Sequence, residues 1–361
     1  MPGDVPGAPV RRALLIQLRN MGDVLLCTPA VRALREAYPG ARIDFLTGAL
    51  GADALAGNPY LGEVRVWRPG VREGLGLVRW IRGQGYDTVL DFQSMPRTAR
   101  LVLASGAERR IGVQGRGPRN LAYTHLVPKT RPPLEYTAWR KLGLLEPLGI
   151  RPEGADALPL DIGVGERERD RAREIFAASG LEGDVPIVAV SPVSREPFKQ
   201  WGEERWAEVA DAVAAMGARI LVTCGPGERR QAEAVARRMS HPAVWSYGRT
   251  TLRELAALYE RCTLWMGNDG GPKHVAAAVG TPTLMVVRCG LGRVWNDPSP
   301  HTAQHFVEAP ASEGCDHGSS RGGRPACLAA VAPERVIETA GAVLAAVRGG
   351  ARAPLRLAVE P

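Results

Sequence analysis

Three scarcities bound this chain before any motif is read. Aromatic residues make up only 6% of its 361 residues. None interleave with its arginine-dense stretch, so the stacking platform of a nucleic-acid binder is missing and no nucleic-acid partner is expected. No apolar run reaches the ~20 residues that a membrane span needs. The longest candidate, Val275 to Val287, is broken by Gly280 and Pro282. Cysteines number six. Cys27, Cys224, Cys262 and Cys289 sit in or beside apolar runs and read as small buried residues. Cys315, His317 and Cys327 share a loop rich in Gly, Ser and Arg. Three ligands fall short of the four that a structural zinc site wants, so no metal is assigned there. The opening MPGDVPGAPVRR has no apolar core behind a charged start and does not read as a signal peptide. The expected location is the cytoplasm.

Acidic charge is short in one half only. The net charge is +8. Residues 1–150 hold 21 basic against 12 acidic side chains, and residues 151–361 hold 25 against 26. The excess includes Arg97, Arg100, Arg109, Arg110, Arg116 and Arg119. It reads either as a solvated surface of an arginine-rich composition or as a face for an acidic partner, such as anionic lipid or phosphorylated glycan.

What is present is an alternation of strand and helix from end to end. Ala13 to Leu18, Ile43 to Leu46, Val64 to Trp67 and Thr88 to Phe92 read as strands, with helices over Pro29 to Ala37 and Leu75 to Arg82. Gly149 to Gly165 is rich in Gly, Pro and Asp and reads as a linker. The pattern then restarts with strands at Ile187 to Val190 and Arg219 to Thr223. Helices follow over Glu203 to Met216, Glu228 to Met239, Leu252 to Arg261 and Pro333 to Val347. This predicts an α/β chain of two Rossmann-like domains, residues 1–160 and 161–361, with strand-end loops facing a cleft.

The motifs fall at those strand ends. MGNDGGPKHVAAAVGTPTLMVV, from Met266, reads as strand, turn, helix and strand. Pro272 suits the first helical position. Gly270 and Gly271 ahead of the helix let backbone approach a ligand, and the helix start favours an anion. Asp269 and His274 add polar groups at the mouth. An ordinary strand–turn–helix is the alternative. Asp23, after the first strand, reads either as a helix cap or as a general base. Ser194, Arg195 and Lys199 lie in a long loop suited to a diphosphate, or to solvent. Cys224-Gly225-Pro226-Gly227-Glu228 lacks the third glycine of a dinucleotide fingerprint, which argues against a nicotinamide-dependent oxidoreductase. Glu228 either accepts from ribose hydroxyls or caps its helix. Gly248 to Leu252 places Thr250 where backbone could edge a base, while Thr251 and Glu254 make a capping box.

Taken together, these motifs resemble glycosyltransferase family 9, the heptosyltransferases of lipopolysaccharide inner-core assembly. The likeness spans nearly the whole chain. It rests on LRNMGDVLLCTPAVRALREAYPGARIDFLTG, YDTVLDFQSMPRTARLVLASGAERRIG, SPVSREPFKQWGEERWAEVA, GRTTLRELAAL, GNDGGPKHVAAAVGTPTLMVV and CLAAVAPERV. The resemblance implies a GT-B fold, with the acceptor on the first domain and the nucleotide sugar on the second. It implies an inverting transferase with no metal at its catalytic centre, no cofactor, and ADP-heptose as co-substrate. By resemblance Asp23 is the base, Lys199 meets the donor diphosphate with Ser194 nearby, and Glu228 faces ribose. Asp269 contacts the donor sugar, and Gly270, Gly271 and His274 form its anion-binding turn, with Thr250 also on the donor side. Lys273 departs from the family, which more often has a hydrophobic or small residue there. Arg97, Arg100 and Arg119 are expected to meet an anionic, lipid-linked acceptor, with peripheral contact at the inner membrane face. Competing readings are a nucleotide-sugar epimerase of the same architecture and a non-catalytic sugar-nucleotide-binding protein.

Overall fold

Six short parallel strands build the first sheet. They are β1 (Arg12–Gln17), β2 (Arg42–Thr47), β3 (Val64–Val66), β4 (Thr88–Asp91), β5 (Arg109–Val113) and β6 (His125–Val127). Their spatial order is β3-β2-β1-β4-β5-β6, with every neighbouring pair parallel. The structure is a computed structural model that describes residues 9–129, 136–151, 158–246, 250–299, 302–311 and 326–349. It divides into two compact units, Met1–Gly163 and Val164–Pro361.

Side-chain alternation along β1 explains the layering of the first unit. Ala13 and Leu15 enter one core with Val31, Leu34 and Leu145. Leu14 and Ile16 enter another with Leu77, Ile81 and Val102. Successive side chains point to opposite faces, so a strand covered on both sides reads as an unbroken apolar run. The covering helices are α1 (Met21–Leu25), α2 (Thr28–Ala37), α3 (Ala49–Leu55), α4 (Val71–Gln84), α5 (Pro96–Ser105) and α6 (Thr137–Leu142). A 3₁₀ turn, Pro118–Ala122, separates β5 from β6. Gly85 and Gly106 close α4 and α5 at φ 62° and 69°, the left-handed conformation that stops a helix at least cost to glycine.

The second unit repeats the plan. Its strands are β7 (Ile187–Ser191), β8 (Arg219–Val222), β9 (Ala243–Trp245), β10 (Leu264–Asn268), β11 (Thr283–Val287) and β12 (Gln304–Glu308). Their order is β12-β11-β10-β7-β8-β9, again all parallel. Counted from its own first strand, this is the permutation of the first sheet. Each unit therefore reverses its winding beside its first strand, at β1/β4 and at β7/β10. Ligands of such sheets sit beyond the carboxyl ends of the strands at that reversal.

The helices of this unit are α7 (Glu166–Ala178), α8 (Glu203–Ala215), α9 (Arg229–Arg238), α10 (Leu252–Glu260), α11 (Gly271–Ala278), α12 (Gly292–Trp295), α13 (Ala326–Ala329) and α14 (Pro333–Arg348). Val188, Val190, Leu264, Met266, Leu284 and Val286 pack beneath Trp206, Val209 and Val213 of α8 and Val336, Ala340 and Val343 of α14. No described helix is long and apolar enough to cross a membrane.

Candidate functional site

The carboxyl ends of β7, β10 and β11 converge on one cluster. Asn268, the last residue of β10, organises it. Its Oδ1 accepts from the Trp201 backbone N–H at 3.2 Å and from Trp206 Nε1 at 3.1 Å. Its Nδ2 donates to the Pro192 carbonyl at 2.6 Å. One buried amide thus pins both ends of the loop that leaves β7. A further bond from Gln200 Nε2 to the Ser194 carbonyl, 2.7 Å, closes that loop on itself.

Fixing the loop delivers Lys199 to Asp269. Its Nζ lies 2.9 Å from Asp269 Oδ2, with the lysine half-buried and the carboxylate buried. Ser194 is buried in the same loop, its Oγ accepting from the Glu196 N–H at 3.4 Å. Arg288, at the end of β11, lays its guanidinium 4.8 Å from the Phe198 ring centroid. Lys199 therefore stands at the turn that begins α11, and Arg288 packs on the loop that carries it. The helix starts at Gly271, which makes Pro272 its second residue rather than its first. Gly270 has φ −170°, ordinary extended backbone, so conformation does not demand glycine there. What glycine supplies is room: an added Cβ would meet only Pro272 Cδ, at 3.6 Å, and the Asn268 carbonyl, at 3.8 Å.

Behind the turn lies an aromatic and basic wall. His274 is buried, and its Nδ1 has no hydrogen-bond partner among the described residues. Its ring meets Trp295 edge-on at 6.1 Å, and the same indole lies 5.8 Å from Lys199 Nζ. Burial, then Lys273 and Lys199, hold the imidazole pKa well below its usual 6.5, so it is neutral at neutral pH. Lys273 is wholly buried. Its ammonium donates to the Trp295 carbonyl at 2.6 Å and to Gln304 Oε1. Burial pushes its pKa down from 10.5 to about 7, with Asp297 and Asp269 opposing. This lysine fastens Trp295 in place.

The other residues expected on the donor side are spread over neighbouring loops. Glu228 is half-buried and occupies the position just before α9, yet its side chain makes no cap. Its Oε2 accepts from the Gly225 N–H at 2.8 Å instead. Thr250 lies in the loop before α10. Thr251 caps that helix, accepting from the Glu254 N–H at 3.3 Å while Glu254 Oε2 accepts from the Thr251 N–H at 2.7 Å.

In the first unit Asp23 is no cap. It is the third residue of α1, and the position before that helix belongs to Asn20. Asn20 sits at φ 60° and donates from Nδ2 to Asp23 Oδ2 at 3.0 Å. One carboxylate oxygen is held by that bond. A residue not singled out in the sequence lies nearby. Lys141 of α6 is 7% exposed and donates to Gln17 Oε1 at 3.0 Å. Its Nζ lies 5.6 Å from the Phe92 ring centroid. Between it and Asp23 lies Cys27, whose thiol donates to the Asp23 carbonyl at 3.2 Å and is pushed up to about 12 by burial. Lys141 interrupts the apolar face formed by Ala138, Leu142 and Leu145, and that interruption is the signal that marks it.

Arg97 and Arg100 are exposed on α5, Arg97 stacked 4.8 Å over the Trp67 ring. Arg119 is half-buried and folded against Gly115. Cys315 and His317 lie outside the described residues, and Cys327 is buried in the second core.

Comparison with known proteins identifies the family and the fold. The family model for glycosyltransferase family 9 (heptosyltransferase) matches residues 75–287. Lipopolysaccharide heptosyltransferase 3 of Escherichia coli is 30% identical over 281 residues, 74% of this chain and 79% of that protein. Among solved structures, a family 9 glycosyltransferase from Veillonella parvula superposes with a TM-score of 0.79 at 24% identity, covering 94% of this chain and 99% of the other. Escherichia coli ADP-heptose lipopolysaccharide heptosyltransferase II gives 0.75 at 21%, covering 93% and 99%. These two structural likenesses establish the fold, and the family match reaches further. The chain belongs to glycosyltransferase family 9, the heptosyltransferase family, and is a glycosyltransferase enzyme of GT-B fold.

Proposed function

We propose that this enzyme transfers heptose from ADP-heptose, with inversion, onto a hydroxyl of an anionic lipopolysaccharide-type acceptor at the cytoplasmic membrane face. The Lys199–Asp269 pair at the head of α11 carries this reading. It sets a cation for the leaving diphosphate beside a carboxylate for sugar hydroxyls. The relatives' names, heptosyltransferases of lipopolysaccharide, supply the substrate class.

In the proposed reaction Asp23 takes the proton of the acceptor hydroxyl as that oxygen attacks the anomeric carbon. The carbon–oxygen bond to the diphosphate breaks on the opposite side, and its electron pair leaves as negative charge on ADP. Such a base supplies ~10²–10⁴ in rate. Lys199, with a charge-assisted hydrogen bond of ~1.5–3 kcal/mol, outweighs the dipole of α11 at ~0.3–2 kcal/mol. Arg288 stands as the second cation for the diphosphate. An arriving diphosphate competes for Lys199 and frees Asp269 to accept from the sugar. Glu228 Oε1 faces ribose, Thr250 edges the base, and Ser194, Gly270, Gly271 and His274 line the donor. Arg97, Arg100 and Arg119 serve the acceptor, and Lys141 joins them on the Asp23 side.

The test is transfer itself. The purified enzyme should release ADP from ADP-heptose only with a lipopolysaccharide-type acceptor, giving a product heavier by one heptose in mass spectrometry. ADP release without acceptor, or an altered sugar from donor alone, would contradict it.

A further inference from the structure

The two units handle surface arginine differently. On α7, Arg169 pairs with Glu166 and Glu260, Arg171 with Glu174, and Arg173 with Asp170. On α9, Arg229 and Arg237 share Glu233, and Arg238 reaches Glu203 and Glu204. An arginine-rich composition alone would treat both units this way. In the first unit the ion pairs engage Arg42, Arg65 and Arg109. Among the described residues none forms on α4 or α5. Arg72, Arg79 and Arg82 of α4 and Arg97 and Arg100 of α5 are exposed with no carboxylate in ion-pair range among the described residues. Glu73 is the one acid on these two helices.

Leucines interleave with these arginines at helical spacing. Leu75 follows Arg72 and precedes Arg79, and Leu103 follows Arg100. Leu75 is 67% exposed, Leu103 57%, and Leu121 on the adjoining 3₁₀ turn 81%. A single exposed leucine is ordinary. Here α4 packs on α5, and α5 packs on the Pro118–Ala122 turn, so the three exposed leucines lie on adjoining elements among these arginines.

We propose that the face formed by α4, α5 and the Pro118–Ala122 turn docks on an anionic lipid surface. The leucines enter the boundary between headgroups and acyl chains, and the unpaired arginines meet headgroup charge. Nucleic acid would call for aromatic stacking residues where these leucines stand. A second copy of the chain would bring like charge against like charge across a two-fold contact. The proposal deepens the proposed function and rests on it for the reason an enzyme would need the membrane.

The test uses the full chain with vesicles of phosphatidylcholine alone and of phosphatidylcholine containing phosphatidylglycerol. Wild type should co-sediment with the anionic vesicles and not with the neutral ones, and high salt should release it. Leu103→Ser with Leu121→Ser, and separately Arg72→Glu with Arg79→Glu, should each weaken partitioning at least about tenfold at unchanged melting temperature. Arg173→Glu, on the paired surface of α7, should leave it unchanged. Equal binding to both vesicles, indifference to either double variant, or loss of a dimer in place of vesicle binding would overturn the proposal. Transfer onto a water-soluble acceptor lacking acyl chains separates the two ideas. It should persist in every variant, and its absence from wild type would instead count against the proposed function.

Discussion

Whether His274 carries charge decides what α11 offers an anion. Buried between two lysines, it stays neutral, which leaves Lys199 as the charged donor of that turn. Asp23 is placed differently, with one oxygen tethered by Asn20. Asp23→Asn keeps the shape and removes the proton acceptor. Turnover should fall at least about a hundredfold while donor affinity, read by calorimetry, holds. Near-normal turnover would take the base role from this residue.

Lys273 makes a prediction about pH. Folded, its amine titrates at about 7, against 10.5 for the ordinary group. Between those values the unfolded chain holds a proton that the folded chain has released, so this residue makes stability rise with pH. Below about 7 both states hold the proton and the burial cost stays complete. Lys273→Met removes the slope. Thermal melts from about pH 7 to about pH 9 should show wild type gaining on the variant as pH climbs. A constant gap between the two would mean that the amine is not held in a dry site.

At the scale of elements, capping and strand burial set what can be read in advance. Thr251 and Glu254 form their box as the spacing foretells, because the contact spans one helical turn and needs no distant partner. Thr251→Ala should cost ~1 kcal/mol in urea unfolding. The loss should appear as a shifted midpoint at unchanged slope, since α10 also brings the Tyr259 hydroxyl to Thr223 at 2.8 Å. Central strands such as β1 and β11 are legible as apolar runs because both their faces are covered. The edge strands β3, β6 and β9 are three residues each and half-exposed, and α7 buries only Ala172 and Phe176. Such elements exist through the neighbours they pack on, so their own residues announce little.

At the scale of the whole molecule, the donor reading predicts where binding is felt. ADP at a hundred times its dissociation constant should raise the unfolding free energy by ~2.7 kcal/mol. Hydrogen exchange should slow in the β7–α8 loop and at the head of α11, and Lys199→Ala should lose most of both effects. Unchanged exchange at these two loops would move the nucleotide elsewhere.

Alternating apolar runs, turn residues and ordered motifs determined by themselves that this chain forms two Rossmann-type units. Those features are local, since periodicity and turn preference act within a few residues. Only the tertiary structure decided that Lys199 meets Asp269, that Arg288 stacks on Phe198 of the same loop and that Lys273 secures Trp295. It alone placed Lys141 against Gln17, 124 residues away along the chain. It also turned a count of arginines into one paired surface and one unpaired face. Such contacts depend on which parallel strands become neighbours, a choice made by the packing of the whole sheet rather than by any segment within it.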